Sequence, residues 1–320
     1  MLGAFQSKGT ESPSKLRSLL GGMKQAYENN ENCMEYARRS HGLVNNLAVV
    51  TQISYDLQSG SYIQYALAEA GKTREWCDHV AALVAPCLPD GGAILEVGSG
   101  EATTLAGVLR ALPSRPKQAF GLDISWSRCA HGRQWLKTMN QQAVLVVADL
   151  FHIPFEDDSV DVIYTSHSIE PNGGREKEAL KELLRVARSA VVLVEPIYEL
   201  ATPDAQARMA RHGYVRGLKA TAETLDCIID EYRLLGPLGR VNTLNPSGVI
   251  VMKKAGGGRK RDAAGPIVWR CPLTHTQLVR KGDVAFSPAT GVAYASIDGI
   301  PLMTRNSAVL ASSFGMLKYE

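Results

Sequence analysis

Several features that would mark a specialised class of protein are absent from this sequence. There is no run of about eighteen apolar residues, so we predict no transmembrane helix and no membrane partner. The first residues are polar and lack the apolar stretch of a secretory signal, which leads us to expect a cytoplasmic protein. Basic and acidic residues nearly balance, at 35 against 32, so the charge does not favour nucleic acid as a partner.

Cysteine is present but is not spaced for a crosslink or a metal site. The sequence has no C-x-x-C pair, and its six cysteines are scattered along the chain at Cys33, Cys77, Cys87, Cys129, Cys227 and Cys271. Free thiols in a reducing compartment explain this scatter better than disulfides or a zinc site, and we predict no bound metal. The remaining composition, 45% hydrophobic and 21% charged, is that of an ordinary globular protein.

The pattern along the chain predicts five consecutive regions. A polar tail precedes a mostly helical segment, which is followed by a long region in which strands and helices alternate. Three glycines and a basic run at 259–261 then indicate an exposed linker before a segment of short strands. The predicted regions are a disordered tail at 1–14, a helical cap or lid at 15–90, the catalytic α/β domain at 91–255, the linker at 256–266 and a β-rich accessory domain at 267–320.

The alternation of strands and helices in the long region predicts the fold class. Strands such as AILEV and SAVVLVEP are short, β-branched and almost entirely apolar, and amphipathic helices such as EKEALKELLRVAR separate them. Strands of this kind are typical of a parallel sheet that is covered on both faces. We therefore predict an α/β protein with a doubly wound, mostly parallel, seven-stranded sheet, an N-terminal helical cap and a small C-terminal β domain. SYDLQSG is predicted as a loop, and TAETLDCIIDEYRLL as a helix.

A glycine-rich turn follows the first predicted strand and is the first candidate binding site. Gly98 and Gly100 flank Ser99, and glycine allows the backbone both positive φ and a close approach to a ligand. Glu96 precedes the turn, and Thr103 stands where a dinucleotide-binding fingerprint has its third glycine or alanine. A carboxylate at this place repels phosphate and favours a cation. S-adenosylmethionine (SAM) carries a sulfonium and an ammonium group and no phosphate, so it suits this turn.

Two further carboxylates end the next two predicted strands. Asp123 closes the second strand, where it can accept hydrogen bonds from both hydroxyls of a ribose. Asp149 closes the third strand, where it can accept from an adenine amino group while Leu150 packs on the base. Either aspartate alone could be a helix cap or a turn residue. Acidic residues that end three successive strands beside one glycine turn indicate a single nucleoside site.

These motifs together resemble those of class I SAM-dependent methyltransferases. ILEVGSGEATT is similar to the first motif of that family, GLDIS to the second, VVADL to the third, and FHIPFEDDSVDVIYTSHSIE to the segment after the third. The resemblance covers residues 80–255 approximately and implies SAM as the cofactor. It also implies that Ile124 and Ser166 contact SAM together with the turn and the two aspartates. The sequence departs from the family before the fifth strand, where a Lys-Pro-Gly-Gly turn is missing.

Residues of the cap are candidates for closing over the cofactor. In the fold that the resemblance implies, helices before the first strand often cover the bound molecule, and Tyr55, Gln58 and Tyr62 would suit that role. An aromatic face can lie against a sulfonium. Packing within the helical cap explains the two tyrosines equally well.

The end of the fourth strand supplies the catalytic candidates, which are His167, Tyr164 and Glu170. A histidine with a pKa near neutrality can take a proton from a substrate hydroxyl. Methyl transfer is an in-line displacement on an activated donor, so alignment can supply most of the rate, and His167 would then only position the site. His212, Tyr214 and Arg216 are further candidates on the substrate side, although an ordinary surface helix end also explains them.

The C-terminal segment resembles a second family. Cys271 with the following proline, and the D-G-I-P-L-M sequence at 298–303, are similar to phrases of the small zinc-ribbon-derived proteins that activate methyltransferases. Tetrahedral zinc needs four ligands. Cys271 and His275 are available, but Ser287 stands where a further cysteine would be expected, so we predict a domain whose metal ligands are lost. Such a domain could cover an apolar strand of the catalytic sheet, or serve substrate binding or dimerisation.

Three functions agree with these residues. The leading one is a SAM-dependent methyltransferase that acts on a hydroxyl or amine of a small molecule, sugar or natural-product intermediate. Its partner is then a small-molecule substrate, and a homodimer is compatible with the sequence. The second is an enzyme that uses the aminocarboxypropyl carbons of SAM, or cyclises SAM, and releases methylthioadenosine. The third is a non-catalytic partner protein with the same fold.

Overall fold

The computed structural model describes residues 13–42, 48–236, 243–254 and 267–316. No helix within these ranges is long and apolar enough to cross a membrane. The predicted linker and residues 1–12 of the predicted tail lie outside the described residues. Residues 13 and 14, which were assigned to the tail, begin the first helix instead.

Five helices precede the sheet and form the N-terminal cap. They are α1 Pro13–Glu28, α2 Cys33–His41, α3 Ala48–Leu57, α4 Ser61–Ala68 and α5 Ala70–Val84. The first three pack around a small core of their own, to which Leu19 and Met23 belong. The prediction of a loop over SYDLQSG was wrong for the first four residues of that segment, because α3 continues to Leu57. Val50, Ile53 and Leu57 recur at helical spacing, so one face of α3 packs against this core.

A mostly parallel seven-stranded sheet follows, as the sequence predicts. Its strands are β1 Ala93–Val97, β2 Gln118–Asp123, β3 Val144–Val147, β4 Val160–Ser166, β5 Ala187–Pro196, β6 Cys227–Leu234 and β7 Ser247–Lys254. Their order across the sheet is β3-β2-β1-β4-β5-β7-β6, and β7 runs antiparallel to both of its neighbours. The direction of winding changes between β1 and β4. In open sheets of this type, ligands bind beyond the carboxyl ends of the strands at such a point.

Helices cover both faces of the sheet. They are α6 Thr103–Ala111, α7 Trp126–Thr138, α8 Glu176–Val186, α9 Pro203–His212 and α10 Leu218–Ala222. Neighbouring residues of β1 point to opposite faces: Ile94 packs in the core with α5, α6 and α7, whereas Leu95 packs in the core with α8 and α10. Burial on both faces explains why the central strands are almost entirely apolar.

The edge strand β6 replaces a predicted helix. TAETLDCIIDEYRLL was predicted as helical, but it leaves helical structure before Cys227 and pairs with β7 from that residue on. Cys227, Ile229 and Tyr232 pack against the core, while Ile228 is 58% exposed. Only one face of this edge strand is buried, and its apolar positions do not alternate strictly. The pairing with β7 therefore decides its conformation, and a local pattern could not reveal it.

The C-terminal segment forms a separate antiparallel sheet, as the sequence predicts. Its strands are β8 Trp269–Arg270, β9 Gln277–Lys281, β10 Val284–Phe286, β11 Val292–Ile297, β12 Ile300–Pro301 and β13 Val309–Leu310. Within the described ranges, no group of three or more His, Cys, Asp or Glu side chains could hold a metal ion. The Cys271 thiol lies 3.2 Å from the Tyr294 hydroxyl, and the Ser287 hydroxyl lies 2.7 Å from that of Thr276.

This small domain packs against the β3 edge of the catalytic sheet. The Met303 N–H donates to the Val147 carbonyl at 2.7 Å, and Leu302 forms a parallel bridge with Val147. Trp269 adds an aromatic contact, with its ring centroid 5.0 Å from that of Phe155 and 6.4 Å from that of Phe120. An open sheet edge exposes unpaired backbone groups, so the domain protects an edge that would otherwise be available for pairing with another chain.

Candidate active site

One cavity of about 320 Å³ contains most of the predicted site residues. The predicted residues that line it are Tyr55, Tyr62, Glu96, Gly98, Ser99, Gly100, Asp123, Ile124, Asp149, Leu150, Ser166, His167 and Glu170. They come from the cap and from the carboxyl ends of β1 to β4. The cavity lies beyond the point where the winding changes direction, which is where the fold places a ligand.

The glycine turn after β1 forms one wall of this cavity. Gly98 has φ +73, and a Cβ at this position would lie 2.1 Å from the Ser168 Cβ, so a larger residue cannot fit without displacing the loop after β4. The N–H groups of Gly98 and Ser99 both donate to the Leu122 carbonyl, at 2.7 and 2.9 Å. These bonds hold the turn against the end of β2, next to Asp123.

Asp123 is fixed by the backbone on both of its carboxylate oxygens. Oδ2 accepts from the Gly100 N–H and Oδ1 accepts from the Ser125 N–H, each at 2.9 Å. Burial raises the pKa of Asp123, while the Arg128 guanidinium and these N–H donors oppose that rise. Each carboxylate oxygen retains a lone pair beyond its backbone partner. Both can therefore accept hydrogen bonds from the two hydroxyls of a ribose.

Asp149 and Glu96 line the same part of the cavity as the glycine turn and Asp123. We call this part the cofactor half. Asp149 Oδ1 accepts from the Phe151 N–H at 3.0 Å, which orients the carboxylate at the end of β3. Glu96 lies at the end of β1 and is 1% exposed. Its carboxylate faces the hydroxyl of Tyr164, whose pKa is raised well above its usual range by burial and by the charge of Glu96.

Two predicted site residues do not line the cavity. Tyr164 is fully buried and packs within the core on the side of α5 and α6, so the proposed catalytic contact with a substrate does not agree with its position. Successive side chains of β4 point to opposite faces of the sheet, and that of Tyr164 points into the core. Gln58 lies at the end of α3, where its amide donates to the Ser54 hydroxyl at 3.1 Å, so a contact with the cofactor does not agree with its position either.

Three polar contacts hold the cap over the cofactor half of the cavity. The Glu101 carboxylate accepts from Gly60 N–H at 2.9 Å and from Ile63 N–H at 2.8 Å, so it caps the N-terminus of α4. Asp56 accepts from the Ser125 hydroxyl at 2.7 Å. The third contact comes from Arg128, which is 4% exposed and donates through Nε to the Tyr55 carbonyl at 2.8 Å.

Arg128 also stacks between the two predicted aromatic residues. Its guanidinium carbon lies 4.9 Å from the ring centroid of Tyr55 and 4.5 Å from that of Tyr62. Both rings line the cavity while they bind this arginine. Sequence reasoning did not identify Glu101 or Arg128, because the partners of both are backbone groups and rings of a cap that is distant in sequence.

His167 is held on both ring nitrogens at the end of β4. It has φ +55, which is unusual for a residue other than glycine, and its N–H donates to the Val194 carbonyl at 2.9 Å. Nε2 lies 2.6 Å from the Ser247 hydroxyl, and Nδ1 lies 3.3 Å from Oε2 of Glu170. The amide of Asn245 lies 3.5 Å from both His167 and Glu170. Asn245 and Ser247, which lie at or just before the start of β7, were missed by sequence reasoning.

Glu195 binds the backbone of the two residues that follow His167. It ends β5, is 1% exposed, and accepts from the N–H groups of Ser168 and Ile169 at 3.0 and 3.3 Å. Burial raises its pKa to about 7, while the nearby charge of His167 opposes that rise. Glu195 therefore fixes the backbone immediately after His167.

Of the three substrate-side candidates after β5, only Tyr214 lines the cavity. Burial and the charge of Glu170 raise its pKa, and the Arg208 guanidinium opposes that rise. His212 ends α9, and the Arg216 guanidinium stacks on the ring of Tyr198 instead.

The residues present fit SAM as the cofactor. A glycine turn without side chains can lie against the ligand, and four carboxylates from Glu96, Glu101, Asp123 and Asp149 line the same half of the cavity, which favours a cation. Asp123 and Asp149, which the sequence predicts as the contacts of a ribose and an adenine, both line this half of the cavity.

Comparison with known proteins agrees with this geometry. Residues 94–190 match a protein family described as a methyltransferase domain. The chain is 30% identical over 132 residues to a demethylmenaquinone methyltransferase from Roseiflexus castenholzii, a match that covers 41% of this chain and 52% of that protein. It is 30% identical over 159 residues to an enzyme of the same name from Clavibacter sepedonicus, with 50% and 60% covered.

The chain thus spans little more than half the length of the curated relatives that it matches. Among solved structures, the magnesium protoporphyrin IX methyltransferase of Synechocystis with bound S-adenosylhomocysteine aligns with a TM-score of 0.46 and 12% identity, over 57% of this chain and 84% of that one. A likeness at this level carries no inference about function. The family match identifies residues 94–190 as similar to a methyltransferase domain.

Proposed function

We propose that this protein transfers the methyl group of SAM to a hydroxyl or amine of a small molecule. The observation that carries the proposal is the continuity of the cavity, which joins the cofactor half to a polar wall formed by His167, Glu170, Tyr214 and Asn245. A cavity of about 320 Å³ has the size of a small-molecule site.

The polar wall suits an acceptor that loses a proton. SAM supplies a methyl carbon on a sulfonium: the acceptor oxygen or nitrogen bonds to that carbon, the carbon–sulfur electron pair returns to sulfur, and the acceptor proton must leave. His167 and Glu170 can share that proton through the contact between Nδ1 and Oε2. Glu170 is the more direct acceptor, because Ser247 occupies the other ring nitrogen of His167.

Two features align the acceptor. The Glu195 carboxylate fixes the loop that carries His167 and Glu170, and the Asn245 amide contacts both side chains. The contacts of Glu101, Asp56 and Arg128 hold the cap beside the cofactor half. Alignment of the acceptor with the methyl group can supply most of the rate of an in-line displacement.

The test is to identify the nucleoside product. The pure protein is incubated with SAM alone, and with SAM plus phenols, hydroxy acids, primary amines or demethylmenaquinone. Demethylmenaquinone is included because the curated relatives described above are named demethylmenaquinone methyltransferases. We expect S-adenosylhomocysteine to accumulate only in the presence of an acceptor that gains a methyl group. Glu170→Gln should lower the rate at saturating acceptor while binding of S-adenosylhomocysteine is retained, and Glu75→Gln on the exposed surface of α5 should change neither.

Two results would contradict the proposal in different ways. Formation of methylthioadenosine would mean that the aminocarboxypropyl carbons of SAM react instead of the methyl group. Tight binding of SAM without any turnover across the acceptor panel would favour the non-catalytic partner protein.

A further inference from the structure

Arg208 is a cation in the wall of the cavity for which the described part of the chain provides no counter-ion. It lies on α9, and its side chain lines the cavity on the side of Tyr214 and Glu170. Its Nη1 is buried and has no hydrogen-bond partner among the described residues. A buried guanidinium nitrogen without an acceptor is unfavourable, because the group has lost its water and gained nothing in return.

The neighbours of Arg208 do not neutralise it. The Tyr214 ring centroid lies 5.8 Å from its guanidinium carbon, and the Tyr214 hydroxyl lies between this guanidinium and the Glu170 carboxylate. Glu170 itself is engaged by His167 and Asn245. The polar wall therefore presents a positive end at Arg208, and a carboxylate at the other end that already has partners.

The surroundings of α9 add positive charge. Burial lowers the pKa of His212, at the end of this helix, and Arg208 lowers it further. Glu35 opposes this shift, while Arg38 and Arg211 add smaller effects in the same direction as Arg208. Arg38 donates to the carbonyls of Arg211 and His212, at 2.8 and 3.0 Å, which places its cation at the helix terminus. An anion beside Arg208 would be stabilised by all three arginines.

The other two arginines of the cavity each have a carboxylate nearby, which Arg208 lacks within the described ranges. Arg175 is paired with Glu178 at 2.7 Å and stacks on the Phe151 ring. Arg128 also has one guanidinium nitrogen, Nη2, without a hydrogen-bond partner among the described residues. Its Nε donates to the Tyr55 carbonyl, however, and its charge lies close enough to Asp123 in the cofactor half to oppose the rise of that pKa. Among the described residues, Arg208 is thus the cavity arginine that lies on the acceptor side and has no carboxylate paired with it.

We propose that the acceptor carries an anionic oxygen group, a carboxylate or a phosphate, which Arg208 binds while the nucleophilic oxygen or nitrogen lies beside Glu170 and His167. This inference rests on the proposed function, since it assigns the acceptor side of the same cavity. A guanidinium binds either anion through two parallel N–H donors, so Arg208 orients the acceptor as well as attracting it. The acceptor is then a hydroxy acid, an amino acid or a phosphorylated alcohol in chemical class.

The test measures binding to the protein loaded with S-adenosylhomocysteine, by calorimetry. The probes are 4-hydroxybenzoate and 3-phenyllactate, the primary amides of both, and 4-hydroxyphenyl phosphate. We expect at least one anionic probe to bind about 10- to 100-fold more tightly than its neutral amide, as a charged hydrogen bond in a buried site predicts. A preference for the phosphate over both acids would identify the group as phosphate, and the reverse would identify it as carboxylate.

The variants separate Arg208 from the general field of the helix. Arg208→Gln should abolish the preference for the anion, and Arg208→Lys should retain part of it, because the charge remains while the paired donors are lost. Arg211→Gln makes the same change at an exposed position of the same helix, and it should retain most of the preference. All variants should bind S-adenosylhomocysteine as the wild type does.

Three results would overturn the inference. Equal affinity for acids, phosphate and amides would show that the site does not select an anion, and the absence of measurable binding by any probe would count in the same way. An anion preference that persists in Arg208→Gln would assign it to another residue. Weaker binding of S-adenosylhomocysteine by Arg208→Gln would mean that this arginine holds the carboxylate of the cofactor. None of these results would affect the proposed function, which fails only if no methyl group is transferred.

Discussion

Replacement of Glu195 should make the protein more stable, by an amount that grows from pH 4.5 to about pH 7 and is then constant. Its folded-state pKa of about 7 stands against an ordinary value of 4.5. Between these two values the folded protein binds more protons than the unfolded chain, so stability falls as the pH rises through this window. At 1.36 kcal/mol per pKa unit, the loss is about 3 kcal/mol above pH 7 and vanishes below pH 4.5.

The perturbation that removes this loss is Glu195→Gln. A glutamine keeps an oxygen that can accept from the N–H groups of Ser168 and Ile169, and its new amide faces the hydroxyl of Thr165. It therefore imitates the protonated carboxyl at every pH. We expect the variant to unfold at a higher temperature than the wild type at pH 8, by about 5 °C, and at nearly the same temperature at pH 4.5.

The assay is thermal unfolding followed by circular dichroism from pH 4.5 to 8.5 in buffers of equal ionic strength. Glu178→Gln is the control of opposite sign, because its pKa is lowered by Arg175. Removing that carboxylate should cost stability above its ordinary pKa of 4.5, and only slightly, since the pair is exposed. A Glu195→Gln effect that is independent of pH, or that is larger at pH 5 than at pH 8, would refute the reasoning.

Two further predictions concern the cofactor half. Asp123→Ala should weaken binding of S-adenosylhomocysteine by about 100-fold or more in calorimetry, because two hydrogen bonds to a charged acceptor are lost; Asp230→Ala on the exposed edge strand should bind normally, and unchanged affinity of the first variant would refute the ribose assignment. Glu101→Gln should release S-adenosylhomocysteine about 10-fold faster in stopped-flow measurements, since the carboxylate at the N-terminus of α4 loses its charge. Glu69→Gln near the other end of α4 is the control. Equal release rates for Glu101→Gln and the wild type would show that this contact does not hold the N-terminal cap in place.

The sheet, and the common location of the predicted cofactor residues in one cavity, could be predicted because their signals are local. Each parallel strand is a short apolar run, and the topology brings the carboxyl ends of β1, β2 and β3 to one edge of the sheet. Glu96, Asp123 and Asp149 are therefore neighbours in space whatever the helices between them contain. The close approach of Gly98 to Ser168 is consistent with the glycine turn that the sequence shows.

The remaining parts could not be predicted because long-range pairing decides them. β6 is an edge strand whose single buried face is specified by β7, so its residues alone suggested a helix. Insertion of β7 between β5 and β6 brings Asn245 and Ser247 to His167, about 80 residues earlier in the chain. Tyr164 was assigned a catalytic role because its side chain ends in a hydroxyl. It belongs to the buried pattern of β4, and its side chain packs in the core.

The family match covers only part of the cavity, because it ends at residue 190. It includes the glycine turn, the two aspartates and the His167–Glu170 pair, but not Arg208 or Tyr214, which follow β5. Two proteins that share this domain can therefore use the same cofactor and still differ in the cation that meets the acceptor. The acceptor of this protein is therefore inferred from residues of α9 and β7. Arg208 on α9, which has no carboxylate paired with it in the described part of the chain, indicates the chemical class of the acceptor more specifically than the names of the relatives do.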